Sequence, residues 1–273
     1  MTFSTRFPCD AWLARLGLDA PPPATSDGLA ALHLAQAKTI PFENLDVRLR
    51  HGVSLAPEAL VRKLLTARRG GYCFELNELL RLGLAASGFE VRALLARVLS
   101  GRPEPGPRSH EVLVVALGAH RFLADVGFGG PGLRAPLPLE PGRAETQAGE
   151  VFRLAEDGRL GLVLQKRRDE EPWADLYAFD PRETTLPIDI VAANHFTATW
   201  PGSPFRQHLM AARATETGRI ALSDLAFDET VDGRRRTETV APAALVGLLA
   251  GRFGLRLEAE DRIAVEALAA AMT

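Results

Sequence analysis

Apolar residues recur at helical spacing through the first ninety residues and at strand spacing through much of the next hundred. Trp12, Leu13 and Leu16 share one face behind Asp10, a residue suited to capping, and Gly17 ends the run. Leu29, Leu32 and Gln36 share a second face, closed by Pro41. Pro57 to Ala67 predicts a short helix with Leu60, Val61, Leu64 and Leu65 on its apolar side. Leu76, Leu79, Leu80 and Leu84 predict a helix that starts near Cys73 and stops at Gly88. The triple proline Pro21-Pro22-Pro23 reads as a stiff spacer.

After Gly88 the period changes. Val91 to Leu99 and Glu111 to Leu117 read as strands, separated by a Pro/Gly loop from Arg102 to Arg108. Gly118 to Arg121 reads as a turn and Phe122 to Val126 as the returning strand. Val151 to Leu154, Leu160 to Gln165 and Leu176 to Phe179 continue the series, so a β-barrel or sandwich is expected over roughly 90–210. Ile220 to Phe227 and Glu229 to Val240 predict a hairpin turning at Asp232-Gly233. Ala243 to Gly251 and Asp261 to Ala270 read as helices, with a possible strand at Leu255 to Leu257. No repeat at a fixed period is present.

Composition narrows the function classes. With 273 residues and 47% hydrophobic content, the chain is long and apolar enough to bury a core without staples. Its net charge of −2 supplies no global field for nucleic acid or anionic lipid. Cys9 and Cys73 are too few for a disulfide framework, and no Cys/His cluster has zinc spacing. The start, Met1 to Pro8, has no apolar core of a signal peptide, and the longest nonpolar run, Val240 to Gly251, is too short to span a bilayer. A cytoplasmic protein with reduced thiols is expected, without nucleic-acid or membrane partners; oligomeric state is not readable. Arg234-Arg235-Arg236 reads as a solvated hairpin end, with a phosphate contact as the alternative.

The chemistry concentrates around Arg68-Arg69-Gly70-Gly71-Tyr72-Cys73-Phe74-Glu75-Leu76-Asn77. The glycines loosen the backbone before a helix and set Cys73 at its N-terminus, where unpaired N–H groups favour a thiolate. Arg68 and Arg69 would add positive potential, and a thiol pKa within roughly 3.5–7.5 is expected. A buried inert cysteine is the competing reading. A nucleophilic cysteine needs a base and an orienter. His110 opens an apolar strand and Asp125 closes the returning one, so a hairpin would bring them together. Asp125 would then hold Nδ1 of His110 while Nε2 faces Cys73. A strand-end turn aspartate is the alternative for Asp125. His33, His51, His120, His195 and His208 are worse placed. The glycines of Val126-Gly127-Phe128-Gly129-Gly130-Pro131 suit a phosphate or carbonyl, or serve as a generic turn. No phosphate-loop or dinucleotide fingerprint is present.

These segments resemble the arylamine N-acetyltransferase family. Arg68 to Glu75 is similar to its nucleophile motif, and Ile40-Pro41-Phe42-Glu43-Asn44-Leu45 to its other N-terminal signature. Ser109-His110 and Ala124 to Gly130 resemble its histidine and aspartate motifs, in the family's order. Weaker similarity runs through Asn194 to Phe205 and Leu245 to Leu257. The resemblance implies an α+β fold: a helical domain (1–90), a β-barrel domain (91–210) and an α/β lid (211–273), carrying a Cys-His-Asp triad.

It further implies that Cys73 takes the acetyl group of acetyl-CoA, with His110 as base and Asp125 as orienter. No metal is implied. Phe42, Phe128, Gly129, Gly130 and Phe205 would line the acyl, cofactor and acceptor pocket, and Glu43 and Arg69 would be buried charges supporting the cysteine loop. The acceptor would be an arylamine or arylhydrazine. A relative using another acyl group, an amide synthase and a Cys-His-Asp hydrolase are the alternatives. Two residues depart from the pattern. Gln36 stands where many members carry a second histidine, and Leu99 follows Arg97-Val98 where aromatic residues are expected, implying a wider pocket.

Overall fold

The computed structural model describes residues 7–101 and 104–272. Most of the first eight positions of the chain, with Arg102 and Pro103 of the Pro/Gly loop, therefore lie outside the described residues. Helices α1 (Cys9–Leu16), α2 (Ser26–Thr39) and α5 (Cys73–Ala86) pack around a fully buried Trp12. Between them run β1 (Phe42–Glu43), α3 (Leu45–Arg48) and α4 (Pro57–Leu60). Gln36 ties the three main helices together. Its Oε1 accepts from Trp12 Nε1 at 2.9 Å and its Nε2 donates to the Leu76 carbonyl at 2.8 Å. The helix expected over 57–67 is α-helical only to Leu60, then widens to a π-helix over Val61–Thr66.

An antiparallel sheet follows, in the order β5-β4-β3-β2-β9-β8-β7-β6. Its strands are β2 (Glu90–Val98), β3 (Arg108–Leu117), β4 (His120–Ala124), β5 (Leu137–Pro138), β6 (Ala144–Gln147), β7 (Glu150–Asp157), β8 (Gly161–Arg167) and β9 (Ala174–Phe179). The sheet curls into a nearly closed barrel. The Gln147 amide bonds the backbone of Arg134 and Ala135, just before β5, and so links the two edges. Strand β3 is buried on both faces: Val112 and Val114 point into the barrel, Leu113 and Val115 onto the helical core. The β3–β4 turn is tighter than expected, because His120 and Arg121 already pair with Leu117 and Ala116.

The stretch expected to be a β-barrel or sandwich also contains α6 (Pro187–Thr199) and the short α7 (Pro204–Gln207). Pro187 at the first helical position and the Asp189 carboxylate on the Leu186 N–H, at 2.8 Å, start α6. Then β10 (Met210–Ala214), β11 (Gly218–Ser223), β12 (Ala226–Val231) and β13 (Arg234–Thr239) form a second sheet, joined at its edge by β1. Ile220 to Phe227 is thus not one strand: it turns at Asp224-Leu225, with Asp224 at φ 52°. The Asp232-Gly233 turn stands where expected. Leu255 to Leu257 forms no strand. Helices α8 (Leu245–Gly251) and α9 (Ala259–Ala270) cover this sheet through Leu245, Leu249 and Val265, with Phe253 between them.

Candidate active site

The loop before α5 is fixed from below by charge. Arg69, though buried, bonds Glu43 at 3.1 Å, Asp46 at 3.0 Å and Asp261 of α9 at 2.7 Å. Burial alone would ease its proton off, but the three carboxylates hold it charged. Lys63 bonds Asp46 and Glu75, each at 2.7 Å. Glu75 in turn accepts the Tyr72 N–H at 3.1 Å, which sets the first turn of α5. Arg69 is therefore spent on structure and Arg68 is exposed, so neither supplies the positive potential expected beside the thiol.

Cys73 is the first residue of α5, as its sequence position suggested, and is 2% exposed. Its Sγ lies 3.9 Å from the Ser109 carbonyl. Burial pushes the thiol up, and the carboxyls of Glu111 and Asp125 push it further, while a bond from the Phe74 N–H pulls it down. This direction is opposite to the low pKa expected from the helix terminus and a His110 partner. In so dry a place a thiolate is sustained only beside a newly formed cation.

That cation has an obvious seat. His110 projects into the barrel, and its Nε2 lies 2.8 Å from Asp125 Oδ2. The expected arrangement was the reverse, with Asp125 on Nδ1. With Nε2 held by Asp125, Nδ1 is the nitrogen left for proton exchange. Asp125 Oδ1 accepts from Asn77 Nδ2 at 2.9 Å and from the Gly127 N–H at 2.8 Å. Burial would raise this carboxyl, but His110, Asn77 and Gly127 hold it below the usual carboxylate range. Gly127 is required by closeness: a Cβ there would lie 2.7 Å from the Cys73 carbonyl oxygen.

Sequence reasoning missed two members of this cluster. Asn77 lies one turn after Cys73 on α5 and also accepts the Val126 N–H at 3.0 Å. His33 is fully buried, and burial lowers its pKa to about 4, so the ring is neutral. Its Nε2 accepts the Asp125 N–H at 3.2 Å, and Nδ1 donates to the Arg134 carbonyl at 3.1 Å. A polar residue on the apolar face of each helix was the available signal. Glu111 is buried with neither carboxyl oxygen bonded, and burial drives its pKa well up.

Cys73 and His110 line one cavity of about 320 Å³, with Phe42, Phe128 and Phe205 on its walls. Residues Phe196, Thr197 and Trp200 of α6 and the turn after it complete the wall. His110 packs edge-on against Phe128 at 5.1 Å and beside Tyr177 at 5.0 Å. Gly129 and Gly130 do not line this cavity; they border a smaller recess behind it with Arg134 and Arg219. Among the described residues, no group of three His, Cys, Asp or Glu side chains is placed to hold a metal ion.

Comparison with known proteins gives the family. A family model described as N-acetyltransferase matches residues 25–262. A Salmonella typhimurium protein named arylamine N-acetyltransferase / N-hydroxyarylamine O-acetyltransferase is 40% identical, covering 85% of this chain and 83% of its own. The Escherichia coli arylamine N-acetyltransferase is 37% identical over 96% of this chain and 94% of its own. The Mycobacterium marinum arylamine N-acetyltransferase complexed with CoA superposes with a TM-score of 0.86 at 34% identity, covering 96% of this chain and 97% of that one.

Proposed function

The chain belongs to the arylamine N-acetyltransferase family, and on that premise we propose that it moves the acetyl group of acetyl-CoA to arylamines and arylhydrazines through an acetyl-cysteine at Cys73. One observation carries the reading: a buried thiol and an imidazole backed by a carboxylate face the same aromatic cavity.

The burial of Cys73 dictates the order of events. Its proton passes to His110 Nδ1, so an ion pair forms with no net charge entering the cavity. The thiolate attacks the thioester carbonyl, and the bond to the CoA sulfur breaks. The leaving thiolate recovers the proton from His110. An amine then attacks the acetyl-cysteine, gives a proton to His110 and releases the Cys73 sulfur, which takes that proton back. Asp125 stays ionised throughout and steadies the imidazolium. Weakly basic aromatic amines enter uncharged at neutral pH, which suits walls of Phe42, Phe128 and Phe205. Gly129 and Gly130 would offer backbone to the CoA arm beside the cavity. Among the described residues no helix is long and apolar enough to cross a membrane. We place the enzyme in the cytoplasm, where Cys9 and Cys73 stay reduced.

The test is intact mass after incubation with acetyl-CoA. One added acetyl group mapping to Cys73 is expected, absent in Cys73→Ser. After rapid desalting, the loaded enzyme should pass that group to aniline with no further CoA, and initial-rate plots should run parallel. An unlabelled Cys73, or intersecting plots with no stable loading, would replace the covalent route with direct transfer.

A further inference from the structure

Two large aromatic side chains stand in the open at the rim of the cavity. Phe196 is 40% exposed and Trp200 is 42% exposed, although Ile190, Asn194 and Thr197 of α6 are buried. Their rings stack nearly parallel, 16° apart with centroids at 5.3 Å. The pair is held rigidly. Asn194 fixes α6 by accepting the Tyr72 hydroxyl and donating to the Val53 carbonyl. The Trp200 N–H bonds the Phe196 carbonyl at 2.9 Å, and the Ser203 N–H bonds that of Trp200 at 2.9 Å. Gly202 lets the chain turn flat against the indole, because a Cβ there would lie 2.7 Å from the ring. A stacked, exposed aromatic pair at the wall of the cavity is suited to taking a planar ligand.

We propose that Phe196 and Trp200 form a stacking subsite for the outer ring of extended aromatic acceptors, and so set a preference for two-ring over one-ring amines. The inference rests on the acetyl-cysteine reading, because depth decides what reaches the rim. Cys73, 2% exposed, lines the same cavity as the far more exposed Phe196 and Trp200. An amine attacking there keeps its first ring among Phe42, Phe128 and Phe205. Only a second ring, rigidly continued from the first, extends to the stacked pair. The adenine of acetyl-CoA is a weaker candidate. It is separated from the thioester by the pantetheine arm and a diphosphate, a span that carries it well outside a cavity of about 320 Å³.

The experiment uses enzyme first loaded with acetyl-CoA and desalted, then mixed with 4-aminobiphenyl or aniline. The readout is the ratio of the two second-order transfer rates. Trp200→Ala should lower that ratio roughly 2- to 12-fold, the range for one aromatic contact. Phe196→Leu should lower it in the same direction, and Trp200→Phe should restore most of it. Melting curves exclude unfolding as the cause. An unchanged ratio in Trp200→Ala overturns the subsite. So does a loss confined to loading by acetyl-CoA, which would assign the pair to the donor. Failure of the unaltered enzyme to load would overturn the acetyl-cysteine reading, and is seen before any ratio is measured.

Discussion

The carboxylate of Asp125 is gripped at both oxygens, by His110 on one and by Asn77 and the Gly127 N–H on the other. An amide in its place would face Asn77 with a donor or lose its hold on the imidazolium. Asp125→Asn should therefore fold yet lose roughly 10⁴-fold in turnover, the scale seen when an analogous triad loses its acid. Near-normal acetyl transfer with a normal melting curve would remove Asp125 from the mechanism. Its neighbour Glu111 points the other way, towards α5, with no partner for either oxygen. Its folded pKa is raised, so the unfolded chain gives up this proton first as pH rises above about 4.5, and stability falls with pH. Glu111→Met should raise stability by about 1–3 kcal/mol at neutral pH, with a smaller gain below pH 4.5. Denaturant titrations at the two pH values check this, and a destabilised variant at neutral pH would show that the carboxyl has a use.

At the scale of elements, α2 and α5 do more than fill a core: each lends one polar side chain to the aspartate. His33 of α2 is neutral in the fold, with its pKa lowered from 6.5 to about 4. The unfolded chain binds this proton more readily, so its contribution is complete above pH 6.5 and is lost as pH falls towards 4. About 3 kcal/mol of acid sensitivity should follow. His33→Asn should show a flatter stability profile across that window; an unchanged slope would mean that other groups govern acid unfolding. The sequence announced α5 through its leucine spacing, and β3 through an apolar run that fits a strand buried on both faces. It hid α6, because Ile188 and Val191 face solvent while Asn194 and Thr197 face inward, so the apolar period points the wrong way. It also hid the His33–Asp125 bond and the choice of His110 nitrogen. The first depends on how distant elements meet, and the second on how the ring turns within the hairpin, and no local pattern encodes either.

Across the whole molecule, the nucleophile's loop and the C-terminal helix share one cation. Arg69 lies just before Cys73, and its Nη1 reaches Asp261 in the first turn of α9 at 2.7 Å. The same guanidinium holds Glu43 of β1, which belongs to the sheet that α9 covers. The lid is thus tied to the loop from two directions, by backbone pairing through β1 and β10 and by charge through Arg69. Removing Asp261 leaves Arg69 with Glu43 and Asp46, so the cation is not orphaned and the fold should survive. Asp261→Asn should cost about 1.5–3 kcal/mol, the value of a hydrogen bond to a charged group. Its signature should be local. Amide exchange should quicken in α9 and in residues 68–72, while β6 to β8, which have no contact with Arg69 among their ion pairs, keep their protection. Alkylation of Cys73 should also speed up, because a loosened loop opens the buried thiol to the reagent. Exchange that quickens equally in the barrel would indicate general destabilisation, and unchanged exchange in 68–72 would show that the lid and the nucleophile's loop are held independently.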